Sequence, residues 1–101
     1  MPDDSFRPIP HSPEIIHDQQ ARRFVTILDG VRAQLEYTLD EHAITITHTG
    51  VPPAIGGRGV AGALVRAAVE FALSSNLKVV PACSYAKDWL RRHPEYADLQ
   101  A

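Results

Sequence analysis

Residues 51–65 read VPPAIGGRGVAGALV, and this stretch decides how the chain is organised. Its two prolines end the strand that precedes it, because proline has no N–H for a sheet ladder. Four glycines then clear side chains from a turn, and an apolar, alanine-rich run begins. The order predicts a strand, a glycine turn and a helix. The turn is either a simple corner or open backbone that receives an anion.

The run after the glycines predicts a helix that begins near Val60 and ends at Ser74-Ser75-Asn76. Its apolar residues recur at helical spacing, whereas Arg66 and Glu70 point away from them. A short buried strand, residues 77–80, follows and is closed by a proline. Strand, helix and strand in this order form a right-handed crossover with parallel strands in nearly all proteins.

Upstream, the pattern predicts three antiparallel strands in residues 24–28, 31–39 and 43–51. Asp29-Gly30 joins the first two, and this pair strongly favours a two-residue hairpin because both positions tolerate positive φ. In the third strand, strict alternation would put Ile44, Ile46 and His48 on one face and Thr45, Thr47 and Thr49 on the other.

The two ends of the chain are predicted differently. Residues 1–20 hold four of the eight prolines and form an extended, flexible arm, with a docked edge segment around Ile15 and Ile16 as the one exception. Residues 21–101 form the folded domain, which ends with a helix capped by Ser84 and stopped by Pro94. The fold class predicted is α/β (α+β), a mixed sheet with antiparallel strands first and a parallel crossover after them.

Composition limits the function classes. A chain of 101 residues has the length of one domain. Its net charge of −2 and pI near 6.2 give no general basic field for nucleic acid. No segment approaches the roughly 18 apolar residues of a membrane span. One cysteine cannot form an internal disulfide, so a reduced, cytoplasmic protein is expected.

The glycine turn is suited to phosphate, since a helix start has unbonded N–H groups and the positive end of the helix dipole. Gly57, Gly59 and Gly62 give access to these amides, and Arg58 adds a positive charge. A P-loop is excluded because the Gly-Lys-Ser/Thr ending is absent. Gly57 to Gly62 also match G-x-G-x-x-G, but residues 77–81 offer no acidic residue for a ribose.

A set of short motifs carries a family resemblance: His48-Thr49, Val51-Pro52, Gly57-Arg58-Gly59-Val60-Ala61, Leu64-Val65, Val79, Pro81-Ala82-Cys83-Ser84-Tyr85 and His93-Pro94-Glu95-Tyr96. In order and spacing they resemble the GNAT acetyltransferase superfamily, and within it the small single-domain YjdJ-type proteins. The resemblance covers about Arg22 to Leu99.

The resemblance implies an N-acetyltransferase that takes acetyl from acetyl-CoA to an amine acceptor. It implies that the pyrophosphate lies on the turn and helix start, and that the pantetheine arm follows the strand ending at Val51. The cofactor-binding residues expected are Val51, Gly57, Arg58, Gly59, Val60, Ala61 and Gly62. Two positions depart from the family: Gly56 stands where Gln or Arg is usual, and Gly50 where the small proteins often have Glu.

Three residues are candidates for the chemistry. Cys83 lies just before a helix, where the dipole favours a thiolate. It is either a catalytic group, acting as nucleophile or acid, or a small buried hydrophobic residue. His48 is the candidate base or a half-buried structural histidine. Tyr85 is a general acid or a packing residue. His93 is better explained as a helix C-terminal cap, and no histidine spacing suggests a metal site.

Two other functions remain open from the sequence. A CoA-binding module without transfer activity would explain Gly50 and Gly56. An interaction domain, in which the glycine turn is only a connector, would bind no CoA.

Overall fold

The computed structural model describes residues 14–101. The elements in chain order are strands β1 (Ile16–Asp18), β2 (Arg23–Leu28), β3 (Val31–Leu39) and β4 (Ala43–Gly50), helix α1 (Val60–Ser74), strand β5 (Lys78–Pro81) and helix α2 (Ser84–Arg91). Short 3-10 helices cover Pro53–Ile55 and Pro94–Leu99. Helix α1 therefore begins and ends where the glycine turn and the Ser-Ser-Asn stop predict.

The sheet has five strands in the order β1-β2-β3-β4-β5. The first four pair antiparallel, and β4 and β5 pair parallel with α1 as the crossover between them. The predicted mixed α/β class is confirmed. Its order follows from the chain: tight turns permit antiparallel neighbours, whereas the parallel pair needs a helix-length connection.

The hairpin between β2 and β3 has the predicted turn. Asp29 and Gly30 have φ of +53° and +75°, the left-handed backbone that both central residues of a type I′ turn require. Their strands pair in register from Leu28↔Val31 to Arg23↔Glu36. The turn places Asp29 at an exposed tip of the sheet.

The sheet begins before the predicted arm ends. Strand β1 pairs Ile16 with Val25 and Asp18 with Arg23, so the folded part starts within the arm assigned to residues 1–20. This corrects the boundary at Gln20 and agrees with the docked edge segment that the sequence allowed there. A three-residue strand has little periodicity of its own, and its pairing with β2 fixes it. The rest of the arm, residues 1–13, lies outside the described residues.

One face of the sheet packs on α1, which contributes six buried residues: Val60, Leu64, Val65, Ala68, Val69 and Ala72. They meet fully buried side chains of the strands, among them Leu35, Ile44 and Ile46. Within residues 14–101, no helix combines the length and the apolar character that crossing a membrane requires.

Strand β4 contains a β-bulge that corrects the predicted faces. Tyr37 pairs with Ile46 and Glu36 with His48, so Thr47 is an extra residue without its own partner on β3. Paired residues share a face, so Thr49 lies on the core side with Leu35, and His48 lies on the opposite side with Glu36. His48 is exposed and does not share the face of Ile44 and Ile46.

The cap of α2 also differs from the prediction. The N-cap residue is Cys83, whose Sγ accepts a hydrogen bond from the Ala86 N–H at 3.4 Å, and Ser84 is the first helical residue. The predicted core residues Trp89 and Leu90 are buried. At the other end, His93 Nδ1 donates to the Trp89 carbonyl at 2.7 Å, as expected of a C-terminal cap.

An aromatic cluster attaches β1 to the rest of the sheet. The His17 ring stacks on Phe24 at 4.0 Å between centroids and meets Phe71 of α1 edge-on at 4.6 Å. His17 Nε2 and the Tyr37 hydroxyl lie 2.5 Å apart. Burial lowers the pKa of His17, a shift that the neighbouring Asp18 carboxylate partly opposes, and burial raises the pKa of Tyr37.

We expect the free energy of unfolding to fall as the pH drops below 6.5, the ordinary pKa of histidine. The unfolded chain takes a proton on His17 more readily than the folded chain does, so acid favours unfolding. Denaturant titrations at pH 7 and pH 5 measure the difference, and His17→Phe, which keeps the ring stack, should reduce it. His42→Gln, at an exposed histidine, is the control and should leave it unchanged. Parallel pH profiles for His17→Phe and the unmodified protein would contradict this origin of the pH dependence.

Candidate functional site

The two parallel strands separate at one end of the sheet. Pairing of β4 with β5 stops at Ile46↔Pro81, yet β4 continues to Gly50. The Ile46 carbonyl accepts hydrogen bonds from the amides of Ala82 and Cys83, at 2.9 and 3.1 Å, which turn the chain away from β4 into α2. Residues 47–50 therefore have no β5 partner along that edge. We call this unpaired edge the opening; it lies at the carboxyl ends of the parallel strands, where ligands of such sheets bind.

The glycine turn lies between the end of β4 and the start of α1. Gly57 and Gly59 have φ of +73° and +79°, a backbone that other residues rarely adopt, and a Cβ added to either would meet nothing within 4 Å. Gly59 is the N-cap of α1 and provides no side-chain cap. The first amides of a 15-residue helix thus have no side-chain cap from Gly59, and the turn before them is open, as an anion site requires.

The side chain of Arg58 reaches the β2–β3 hairpin. Its Nη1 lies 2.7 Å from Asp29 Oδ2, although the two residues are far apart in sequence. Both side chains are largely exposed, so the ion pair itself stabilises the fold by at most about 1 kcal/mol. The predicted positive charge beside the glycine turn is present and has a carboxylate partner.

Cys83 lies beside the opening, half-buried. Its sulfur is 3.5 Å from Thr49 Oγ1, a contact that spans the gap between β4 and the start of α2. The same sulfur accepts the Ala86 N–H. The structure therefore places a thiol between a helix N-terminus and a hydroxyl, where both neighbours can hydrogen-bond to it.

His48 is on the other side of β4 from this thiol, because adjacent strand residues face opposite sides and the bulge puts Thr49, rather than His48, on the Cys83 side. The His48 ring lies over Gly50: a Cβ at Gly50 would be 2.8 Å from His48 Nε2. Gly50, which stands where the resemblance implies that Glu is often found, thus leaves room for the histidine ring. The structure does not bring His48 and Cys83 into contact.

Tyr85 and Gly62 meet where α1 and α2 pack together. A Cβ on Gly62 would lie 3.5 Å from the Tyr85 hydroxyl and 3.4 Å from Trp89 Nε1. The missing side chain at Gly62 therefore allows the two helices to approach closely. Its amide remains in the first turn of α1, and Val60 and Ala61 supply the other amides there.

A family model described as GCN5-related N-acetyl-transferase matches residues 23–99. The chain belongs to this family. The resemblance seen in the sequence motifs is confirmed, and residues 23–99 form a GNAT domain. Members of the family generally use acetyl-CoA as their co-substrate.

Relatives and structures agree with the family. Protein NATD1 of mouse is 36% identical over 81 residues, which cover 77% of this chain and 74% of the relative. Protein NATD1 of chicken is 33% identical over 84 residues, covering 80% and 76%. The solution structure of a Staphylococcus aureus protein, provisionally described as a GCN5-like N-acetyltransferase, superposes with a TM-score of 0.70 at 34% identity and 89% coverage of both chains.

The residues of this GNAT fit coenzyme A. Gly57 and Gly59 leave open space beside the turn, and the start of α1 has no side-chain cap on its first N–H groups. The separated edge of β4 provides an extended backbone from Thr47 to Gly50. Within the described part of the chain, no group of three or more His, Cys, Asp or Glu side chains comes together that could hold a metal ion.

Two contacts in the site were not predicted from the sequence. Thr49 belongs to the His-Thr pair of the resemblance, but regular alternation turns it away from Cys83. Asp29 was assigned only to the hairpin turn, and its contact with Arg58 joins two loops whose proximity no local pattern encodes. The only signal in the sequence was an isolated arginine in a glycine turn, which favours an acidic partner somewhere else in the chain.

Proposed function

We propose that this protein is an acetyl-CoA-dependent N-acetyltransferase that transfers acetyl to an amine acceptor. One observation carries the proposal: the glycine turn and the uncapped start of α1 lie at the same end of the sheet where β4 and β5 separate. A phosphate site next to an extended open cleft matches a ligand with a pyrophosphate and a long flexible arm.

The phosphate end would bind at the turn. Gly57 and Gly59 allow the pyrophosphate to approach the backbone, the amides of Val60, Ala61 and Gly62 supply hydrogen bonds, and Arg58 supplies charge. Each such bond to a charged group contributes about 1.5–3 kcal/mol. The pantetheine arm would then run along β4 from Val51 towards Thr49 and reach Cys83.

The thioester end would react beside Cys83. In the proposed sequence the thiolate of Cys83 attacks the thioester carbonyl, the bond from carbonyl carbon to CoA sulfur breaks, and the departing CoA thiolate takes a proton. The amine then attacks the Cys83 thioester, loses a proton to a base, and releases the thiol. In the alternative proposed for Cys83, transfer to the amine is direct and Cys83 gives its proton to the departing CoA. The role proposed for Tyr85 is that of a general acid.

His48 lies on the face of β4 opposite Cys83, so the proposed base would take the amine proton through a water. On that route we expect His48→Ala to lower kcat by about 10²-fold or more. The side chain is exposed, so the free energy of unfolding should change by less than about 0.5 kcal/mol. The measurement is kcat/KM at several pH values for the variant and the unmodified protein. His42→Ala removes another exposed histidine and should leave the rate unchanged. A normal rate and pH profile in His48→Ala would assign the base to another group or to water.

A titration tests the function itself. Calorimetry with acetyl-CoA measures binding, and release of free CoA in the presence of a panel of amines measures transfer. Saturable binding with amine-dependent CoA release supports the enzyme. Binding without release supports the CoA-binding module instead, and no binding contradicts both. The cytoplasmic location and the absence of a nucleic-acid partner stay predictions from the sequence.

A further inference from the structure

The contact between Arg58 and Asp29 joins the glycine turn to a distant part of the sheet. Asp29 is at the tip of the β2–β3 hairpin, and its carboxylate is 2.7 Å from Arg58 Nη1. Asp29 and Gly30 form a tight turn here, and every residue of β2 pairs with β3, which restrains the hairpin. A fixed carboxylate therefore holds the middle of the turn.

The turn needs such a restraint. Three of the four residues from Gly56 to Gly59 are glycine, all four are exposed, and two have positive φ. Glycine loses more conformational entropy than any other residue when it is ordered. A ligand that has to order the turn on binding loses affinity by this entropy cost. When the turn is already held in place, the ligand's affinity is not reduced in this way.

Arg58 can hold Asp29 and still bind a ligand. A guanidinium has five N–H donors, and the contact recorded here uses one nitrogen, Nη1. The donors on the other nitrogens remain free to point at a phosphate. The ion pair therefore also fixes the direction of a long flexible side chain.

We propose that Asp29 is a positioning residue of the CoA site, acting through Arg58 to order the glycine turn before the pyrophosphate binds. The inference rests on the proposed function. Removing the negative charge of Asp29 near a polyanion would, by electrostatics alone, strengthen the binding of CoA. The positioning role requires that binding become weaker.

The test is Asp29→Asn, which keeps the hairpin because Asn-Gly is a preferred type I′ pair. We expect it to weaken the binding of CoA by about three- to tenfold. Binding of S-acetylpantetheine, which has the thioester and arm but no phosphates, should not change in an NMR titration. Glu41→Gln, an exposed acid, removes the same charge elsewhere and is the control for net charge. In the Arg58→Gln background, adding Asp29→Asn should not weaken the binding of CoA any further, which a double-mutant cycle measures.

Each result has one meaning. If CoA binds the unmodified protein and Asp29→Asn binds it equally or more tightly, the positioning role is wrong and the proposed function stands. Equal weakening for S-acetylpantetheine would also overturn the inference, since the change would then be a general one. If the unmodified protein binds no CoA, the proposed function fails, and this inference fails with it. Weakening confined to CoA and absent from the Arg58→Gln background supports the inference.

Discussion

Gly59→Asn is expected to weaken acetyl-CoA binding by about a hundredfold while the protein still folds, because two charge-assisted hydrogen bonds of about 1.5 kcal/mol each would be lost. Asparagine tolerates positive φ better than other side chains do, so the backbone at +79° can be kept. Its side chain would fill the open space in front of the α1 amides. Calorimetry measures the affinity, and thermal unfolding measures the stability.

The matched control for this variant is Gly30→Asn. Gly30 has φ of +75° and open surroundings like those of Gly59, but it lies in the hairpin. Both substitutions impose the same backbone strain, and only one enters the anion site. Equal affinities in both variants, close to that of the unmodified protein, would mean that the phosphates bind elsewhere. An equal loss in both would point to a general disturbance of the fold.

Cys83→Ser is expected to abolish a covalent acetyl adduct and to lower turnover by about a hundredfold or more, since a serine hydroxyl is a much weaker nucleophile than a thiolate. Stability should be maintained or should rise, because serine is among the best N-cap residues. Intact-mass measurement after incubation with acetyl-CoA detects the adduct. Release of CoA with an amine present gives the rate.

A second variant separates chemistry from capping at Cys83. Cys83→Ala also lacks the thiol but cannot accept the Ala86 N–H, so it should unfold about 1 kcal/mol more easily. Equal loss of adduct and turnover in the two variants, despite their different stabilities, assigns the effect to the thiol. Normal turnover in Cys83→Ser would show that transfer is direct and that the sulfur serves as a helix cap.

Local chemistry explains the parts of the fold that were predicted. Asp29-Gly30 specifies its hairpin because both residues accept positive φ, and α1 follows from the periodicity of its apolar residues and from the stop at Ser74. The parallel crossover follows from the handedness rule once strand, helix and strand are in order. These features depend on residues that are neighbours in the sequence.

The features that were missed depend on pairing with distant residues. The alternation of Ile44, Ile46 and His48 is regular in the sequence, and only the register with β3 makes Thr47 the extra residue. Capping statistics favour Ser84 over Cys83, but the path set by the Ile46 carbonyl moves the helix start by one residue. For the same reason the sequence predicts the charge of Arg58 and cannot predict its carboxylate partner.

The bulge makes the pairing of β4 a chemical variable. A strand that carried the same residues in regular alternation would turn His48 towards the Cys83 side and Thr49 away from it. Deleting Thr47 would instead remove the extra residue and keep His48 opposite Glu36 and Thr49 opposite Leu35, so both faces would stay as they are. One unpaired residue thus decides which side chains the two sides of the sheet present, without altering any of the side chains concerned.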